Sequence, residues 1–183
     1  MAAMFADMRE QIQPALVPSE PALLGCTCRR LRRMARLVTQ LYDEALSAHG
    51  LTIAQFGLMT TIAEHRNKTA KDISIGALAS IVGLDPTTLN RNLNTLQRLK
   101  LVEVRADKND RRVRAVALTA SGRQRLKAAT PAWRAAQADL ENRLGGDAAS
   151  ALNETLDSAR DRLIESLRRP PGATASHSTA PQA

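Results

Sequence analysis

The stretch "IGALASIVGLDPTTLNRNLNTL", residues 75–96, limits what this chain can fold into more than any other. Gly83 interrupts a helical pattern whose inward residues are Leu78, Ala79 and Val82, and it supplies a tight turn where a side chain would obstruct the change of direction. Asp85 then offers a carboxylate to the unpaired amides of a new helix, and Pro86 takes the first helical position, where its missing donor costs nothing. Leu89, Leu93, Leu96 and Leu99 recur at the helical period and make one apolar stripe. The segment predicts helix, turn, helix.

Burying that stripe throws Thr87, Arg91, Asn94 and Arg98 to the opposite face, flanked by Thr88, Asn90 and Thr95. After the Asp85 cap this face carries no carboxylate. Arg pairs bidentately with guanine, Asn with adenine, and Thr touches a thymine methyl or a phosphate, so the set suits the major groove of duplex DNA. The competing reading is a merely solvated polar face, and the charged strip downstream weighs against it.

In "RADKNDRRVRAVALTASG", residues 105–122, the first ten positions hold five basic and two acidic side chains. The flanking "LVEVR" and "RAVALT" read as short strands, so the strip predicts a β-hairpin wing presenting Arg105, Lys108, Arg111, Arg112 and Arg114. A hairpin tip is narrow enough for a minor groove, whose negative potential favours Arg. Asp107 and Asp110 are unsuited to phosphate contact. Asp110 is expected instead to order the wing by pairing with an Arg, so that ordering is not deferred to binding. From Arg91 to Arg114 there are eight basic and three acidic residues, which concentrates positive charge where groove contacts are expected.

Composition agrees. A net charge of +8 on 183 residues biases the chain toward polyanions, with nucleic acid ahead of anionic membrane and acidic proteins. Phe5, Tyr42, Phe56 and Trp133 are all the aromatics, too few for a platform that stacks single-stranded bases. The start lacks the pattern of a secretory signal and no apolar run approaches membrane-spanning length, so a cytoplasmic protein with no membrane partner is expected. Cys26 and Cys28 are too few for a disulfide framework and fit a reducing compartment.

The expected organisation is an N-terminal arm over 1–22, a helical dimerisation region over 23–50 and 120–169, a winged helix-turn-helix DNA-binding domain over 51–119, and a disordered tail over 170–183. The fold class is mostly α with a small β-hairpin wing. Leu24, Cys28, Leu31, Ala35, Val38, Tyr42 and Ala45 form a seam of alternating four- and three-residue steps. Leu152, Leu156, Ala159, Leu163 and Leu167 form a terminal series. Together they offer more apolar surface than one small lobe can cover, so a homodimer is expected, reading half-sites about 10 base pairs apart. Thr52 is the expected cap of a helix with Ile53, Phe56, Leu58, Met59 and Ile62 turned inward. Pro131 should kink or split a long helix that starts near Thr119 or Ser121.

"LTIAQFGLM", "IGALASIVGLDPTTLNRNLNTLQRLKLVEVR" and "DRRVRAVALTASG" resemble the MarR family of bacterial winged-helix transcription regulators, over roughly residues 24–167. Asp110, Arg112, Leu118, Thr119 and Gly122 are the most specific part of the resemblance. It implies an obligate homodimer with interlocked first and last helices, on double-stranded DNA with a pseudo-palindromic operator. It also implies a pocket for an unidentified small-molecule effector, with Tyr42, Phe56 and Met59 as candidate lining. Lys100 departs from the family, which usually has Gly before "LV".

Cys28 lies 14 residues ahead of Tyr42, a placement similar to that of the reactive cysteine and its tyrosine in the organic-hydroperoxide-sensing branch of the family. Arg32 and Ile53 stand where that branch has further tyrosines. Arg29, Arg30, Arg32 and Arg33 could favour a thiolate at Cys28, the candidate redox residue with Tyr42; the alternative is a cysteine that only fills space on a seam. The run "CRRLRRMAR" reads as a solvated face with snorkelling stems. Cys26, about 200° round a helix from Cys28, shares no metal with it, and His49, His65 and His177 show no ligand spacing, so neither metal nor cofactor is expected. The functional expectation is a repressor released by a small ligand or by oxidation. The alternatives are a nonspecific architectural DNA-binding protein and a thiol-based redox enzyme, the latter lacking any His or paired carboxylate at motif spacing.

Overall fold

A computed structural model describes residues 25–106 and 110–168 of the chain. The expected arm, the expected tail and the wing residues Asp107, Lys108 and Asn109 lie outside the described residues. The chain divides into two compact units, Met1–Val38 and Thr39–Ala183.

In the first unit the described residues are the opening turns of helix α1 (Thr27–Leu46) and the two residues before it. The arginines of this stretch are exposed, as are Leu31 and Leu37, and Cys26 and Cys28 are free thiols open to solvent. Cys26 precedes the helix, and its carbonyl accepts the amide of Arg30 at 3.2 Å. The expected 200° separation of the two thiols presupposed a helical Cys26 and does not apply.

The second unit holds the core. After a short 3-10 turn at Ser47–His49, helix α2 (Ile53–Thr69) begins with a capping box. The Thr52 hydroxyl accepts from the Gln55 amide at 3.3 Å, and the Gln55 side chain accepts from the Thr52 amide at 3.1 Å. Phe56, Leu58, Met59 and Ile62 are buried along α2, as its spacing predicts. Strand β1 (Ile73–Ser74) leads into α3 (Ile75–Val82), and Ser74 doubles as the cap of that helix, accepting from the Ala77 amide at 3.1 Å. Gly83, at φ 64°, turns the chain toward α4 (Pro86–Arg98), whose cap Asp85 accepts from the amides of Thr87 and Thr88, both at 3.0 Å.

Helix α4 buries Leu89, Leu93 and Leu96 against α2 and β2. Leu99 does not join them. It is the C-cap, where the helix has ended, and it is exposed. Strands β2 (Val102–Ala106) and β3 (Arg114–Leu118) form the hairpin, with Val104 opposite Val116 and Ala106 opposite Arg114. The sheet has a third member that the sequence pattern does not signal: β1 pairs with β3, Ile73 opposite Val116, giving the antiparallel order β1-β3-β2. Two residues are too few to show alternation, and the helix signal of Ile75 onward overlays them.

Helix α5 (Ala120–Leu144) runs through Pro131 without splitting, contrary to one form of the expectation. Helix α6 (Gly146–Arg168) follows and packs against it. Phe56 stacks on Trp133 of α5 with ring centroids 5.9 Å apart.

The link from α4 to β2 and the start of α5 lock into each other. The Leu101 amide donates to the Leu96 carbonyl and the Lys100 amide to the Gln97 carbonyl, both at 2.9 Å, a Schellman closure that requires left-handed backbone at Lys100, φ 56°. The Thr119 hydroxyl donates to the Lys100 carbonyl at 2.7 Å and accepts from the Gly122 amide at 2.9 Å. A Cβ on Gly122 would lie 2.0 Å from the Leu101 carbonyl oxygen. Only glycine allows α5 to start this close to the corner.

Candidate nucleic-acid interface

Thr87, Thr88, Asn90, Arg91, Asn94 and Arg98 are all exposed on α4. Thr87, Asn90, Arg91, Asn94, Thr95 and Arg98 line a shallow open surface together, so the helical wheel drawn from sequence is realised in three dimensions. Arg98 donates to the Thr95 hydroxyl at 3.2 Å, and Thr95 to the Arg91 carbonyl at 3.1 Å. These bonds run the Arg98 and Thr95 side chains along the exposed face of the helix. Helix α4 is anchored at its start by Asp85, whose carboxyl is held below its usual range by hydrogen bonds from the Thr88 side chain and then from the Thr88 and Thr87 amides.

On the wing, Asp110, Arg111, Arg112 and Arg114 are exposed. The Asp110 carboxylate accepts the backbone amide of Arg112 at 2.9 Å, and its carbonyl accepts the Val113 amide at 3.0 Å. Asp110 therefore closes the turn through the main chain at Arg112 and Val113. Lys108 lies outside the described residues. Arg105, expected among the side chains that the loop presents, is in β2 and turns away: it donates to Asp72 at 2.7 and 3.1 Å and reaches Glu103 at 3.3 Å.

Similarity to known proteins bears on this arrangement. The MarR family model matches residues 49–113. The M. tuberculosis transcriptional regulator MosR, solved in complex with DNA, is 34% identical, with 74% of this chain and 98% of that one covered and a TM-score of 0.59. The chain belongs to the MarR family. The E. coli MarR variant C80S, solved with operator DNA, shares the fold at 24% identity, covering 72% of this chain and 91% of that one, TM-score 0.62. CouR from Rhodococcus jostii RHA1, bound to p-coumaroyl-CoA, also shares it at 24% identity, covering 76% and 95%, TM-score 0.61. No curated protein matches the chain.

Members of the MarR family are transcription regulators and not enzymes, and the exposed α4 face and wing belong to the winged helix-turn-helix these proteins share. The Lys100 departure from the usual MarR glycine now has a structural meaning, because the position is one of positive φ. Phe56 and Met59 are packed in the core, Met59 with no exposed surface. A cavity of about 170 Å³ lies between α2, the sheet and the first turn of α5, lined by Ile62, Arg66, Asp72, Arg105, Val116 and Arg123 among others. Tyr42 is buried and its hydroxyl donates to Gln137 of α5, which in turn donates to Glu141 at 2.7 Å. Burial, and then the charge of Glu141, raise the Tyr42 pKa, so the phenol stays protonated and able to donate. Among the described residues no group of His, Cys, Asp and Glu could hold a metal ion, and no helix is long and apolar enough to cross a membrane.

Proposed function

We propose that the chain is a homodimeric repressor acting in the cytoplasm, which binds a pseudo-palindromic operator through α4 in the major groove and the wing in the minor groove. The observation that carries this is the exposed, carboxylate-free row of Thr87, Asn90, Arg91, Asn94 and Arg98, on a helix packed against the strand that leads into an arginine-rich hairpin. Thr88, Lys108, Arg111, Arg112 and Arg114 complete the proposed contact set, with Asp110 ordering the turn. A relative one third identical has been solved on DNA, which supports the same use of this surface.

Dimerisation is supported by apolar side chains left open on α1 and α6: Leu31 and Leu37 on one, Leu156, Leu163, Ile164 and Leu167 on the other, the last 84% exposed. Such helix faces need a partner to leave water. Release from the operator is assigned to a small molecule, as supported by the ligand bound to CouR. Oxidation of Cys28 is a second route, favoured by the exposure of its thiol.

Selection of genomic fragments by the purified protein, followed by titration of the recovered site against scrambled duplex, tests the regulator reading. A regulator shows a specificity ratio of about a thousand or more. A ratio near one identifies an architectural protein instead. Peroxide titration of the bound complex, repeated with Cys28→Ser, tests the redox route; an equal response in both proteins removes it.

A further inference from the structure

Asp72 ties the end of α2 to the wing strand β2 through its two arginine partners. It sits in the loop between α2 and β1, with its side chain only 14% exposed. One carboxylate oxygen takes Arg66, near the end of α2, at 2.7 Å; the other takes Arg105 of β2 through two nitrogens, at 2.7 and 3.1 Å. Since the sheet order is β1-β3-β2, the Asp72–Arg105 pair passes over the central strand and joins segments that share no backbone ladder. Ala117, opposite Glu103 on that central strand, lines the same cavity and has only a methyl group, which leaves the crossing open. Glu103 holds Arg105 from its own strand at 3.3 Å. Both Arg105 nitrogens converge on one carboxylate oxygen while Arg66 takes the other, and charge-assisted hydrogen bonds of this kind are shorter and stronger than neutral ones.

The geometry points to Asp72 as a positioning residue for DNA binding: a latch that holds the base of the wing to α2, so that Arg111, Arg112 and Arg114 meet the duplex already aimed. This rests on the proposed use of the wing. It also changes the role of Arg105, which acts inward on Asp72 and not outward on a phosphate. Without the latch the hairpin keeps its ladder to β3 but loses the bond across it, and the cost of ordering the wing falls on the binding step.

Charge and positioning predict opposite signs for one substitution, which makes the test sharp. Asp72→Asn adds one net positive charge next to a DNA-binding surface, so electrostatics alone would tighten binding. The latch predicts instead an affinity for the selected operator about five- to tenfold weaker, with faster hydrogen exchange at the β2–β3 amides and little change in melting temperature. Arg105→Gln should weaken binding similarly, and Asp72→Asn with Arg105→Gln should be no weaker than either alone, because the pair acts as a unit. If Asp72→Asn does not fold, Arg105→Gln with its exchange profile decides. Unchanged or tighter binding with undisturbed exchange overturns the latch. Arg112→Ala, run alongside, separates the two readings: if it binds as wild type the wing assignment fails, and if it alone weakens binding the latch fails while the wing stands.

Discussion

Gly122 and Lys100 show how one corner of the lobe is decided by single atoms. A methyl group at Gly122 would need the space of the Leu101 carbonyl, a backbone atom that cannot swing away as a side chain could. Gly122→Ala should therefore cost about 3 kcal/mol, the upper range for forced overpacking, read as a drop in the urea midpoint with unchanged slope. Lys100 is the converse case, a residue with a Cβ in left-handed backbone. Lys100→Gly relieves that strain and loses part of the gain to a freer unfolded chain, so a net stabilisation of about 0.5 kcal/mol is expected from the same measurement. Both positions are visible in the sequence as features of the family resemblance, but the reason for them is not. For Gly122 it resides in a contact with Leu101, 21 residues earlier, and for Lys100 in the hydrogen bonds that close the end of α4.

Helix ends are the most legible elements, because capping is chemistry between near neighbours. Thr52, Asp85 and Thr119 each cap the helix their sequence context predicts. Asp85 adds a pH dependence. Its folded pKa is lowered, so its contribution is fully present above the unfolded value of about 3.9 and is lost as pH falls through the folded value. Asp85→Asn keeps a capping oxygen but does not titrate; the wild type should lose stability relative to it on acidification below about pH 4, and thermal midpoints taken across that range check the sign. What the sequence does not disclose depends on distant partners. β1 exists because Ile73 and Ser74 find β3, more than 40 positions on. Arg105 reads as a groove contact because nothing local announces Asp72, 33 residues earlier. Leu99 fits the stripe by spacing, yet the helix ends before it can point inward.

At the scale of the whole molecule the account needs two copies of the chain. Leu163 is 63% exposed on a helix that also leaves Leu156 and Leu167 open, so Leu163→Asp should shift sedimentation toward the monomer and abolish operator binding while the lobe keeps its cooperative melt. Salt dependence belongs to the same scale, since each phosphate neutralised by the dimer adds about 0.9 to the slope of log affinity against log salt. The central claim is that α4 and the wing act as one cationic surface on two adjacent grooves, and titrating Arg91→Ala and Arg112→Ala dimers against the selected operator tests it most directly. The account predicts that each loses about tenfold or more in affinity with its dimer mass unchanged. Wild-type affinity in both variants would contradict it.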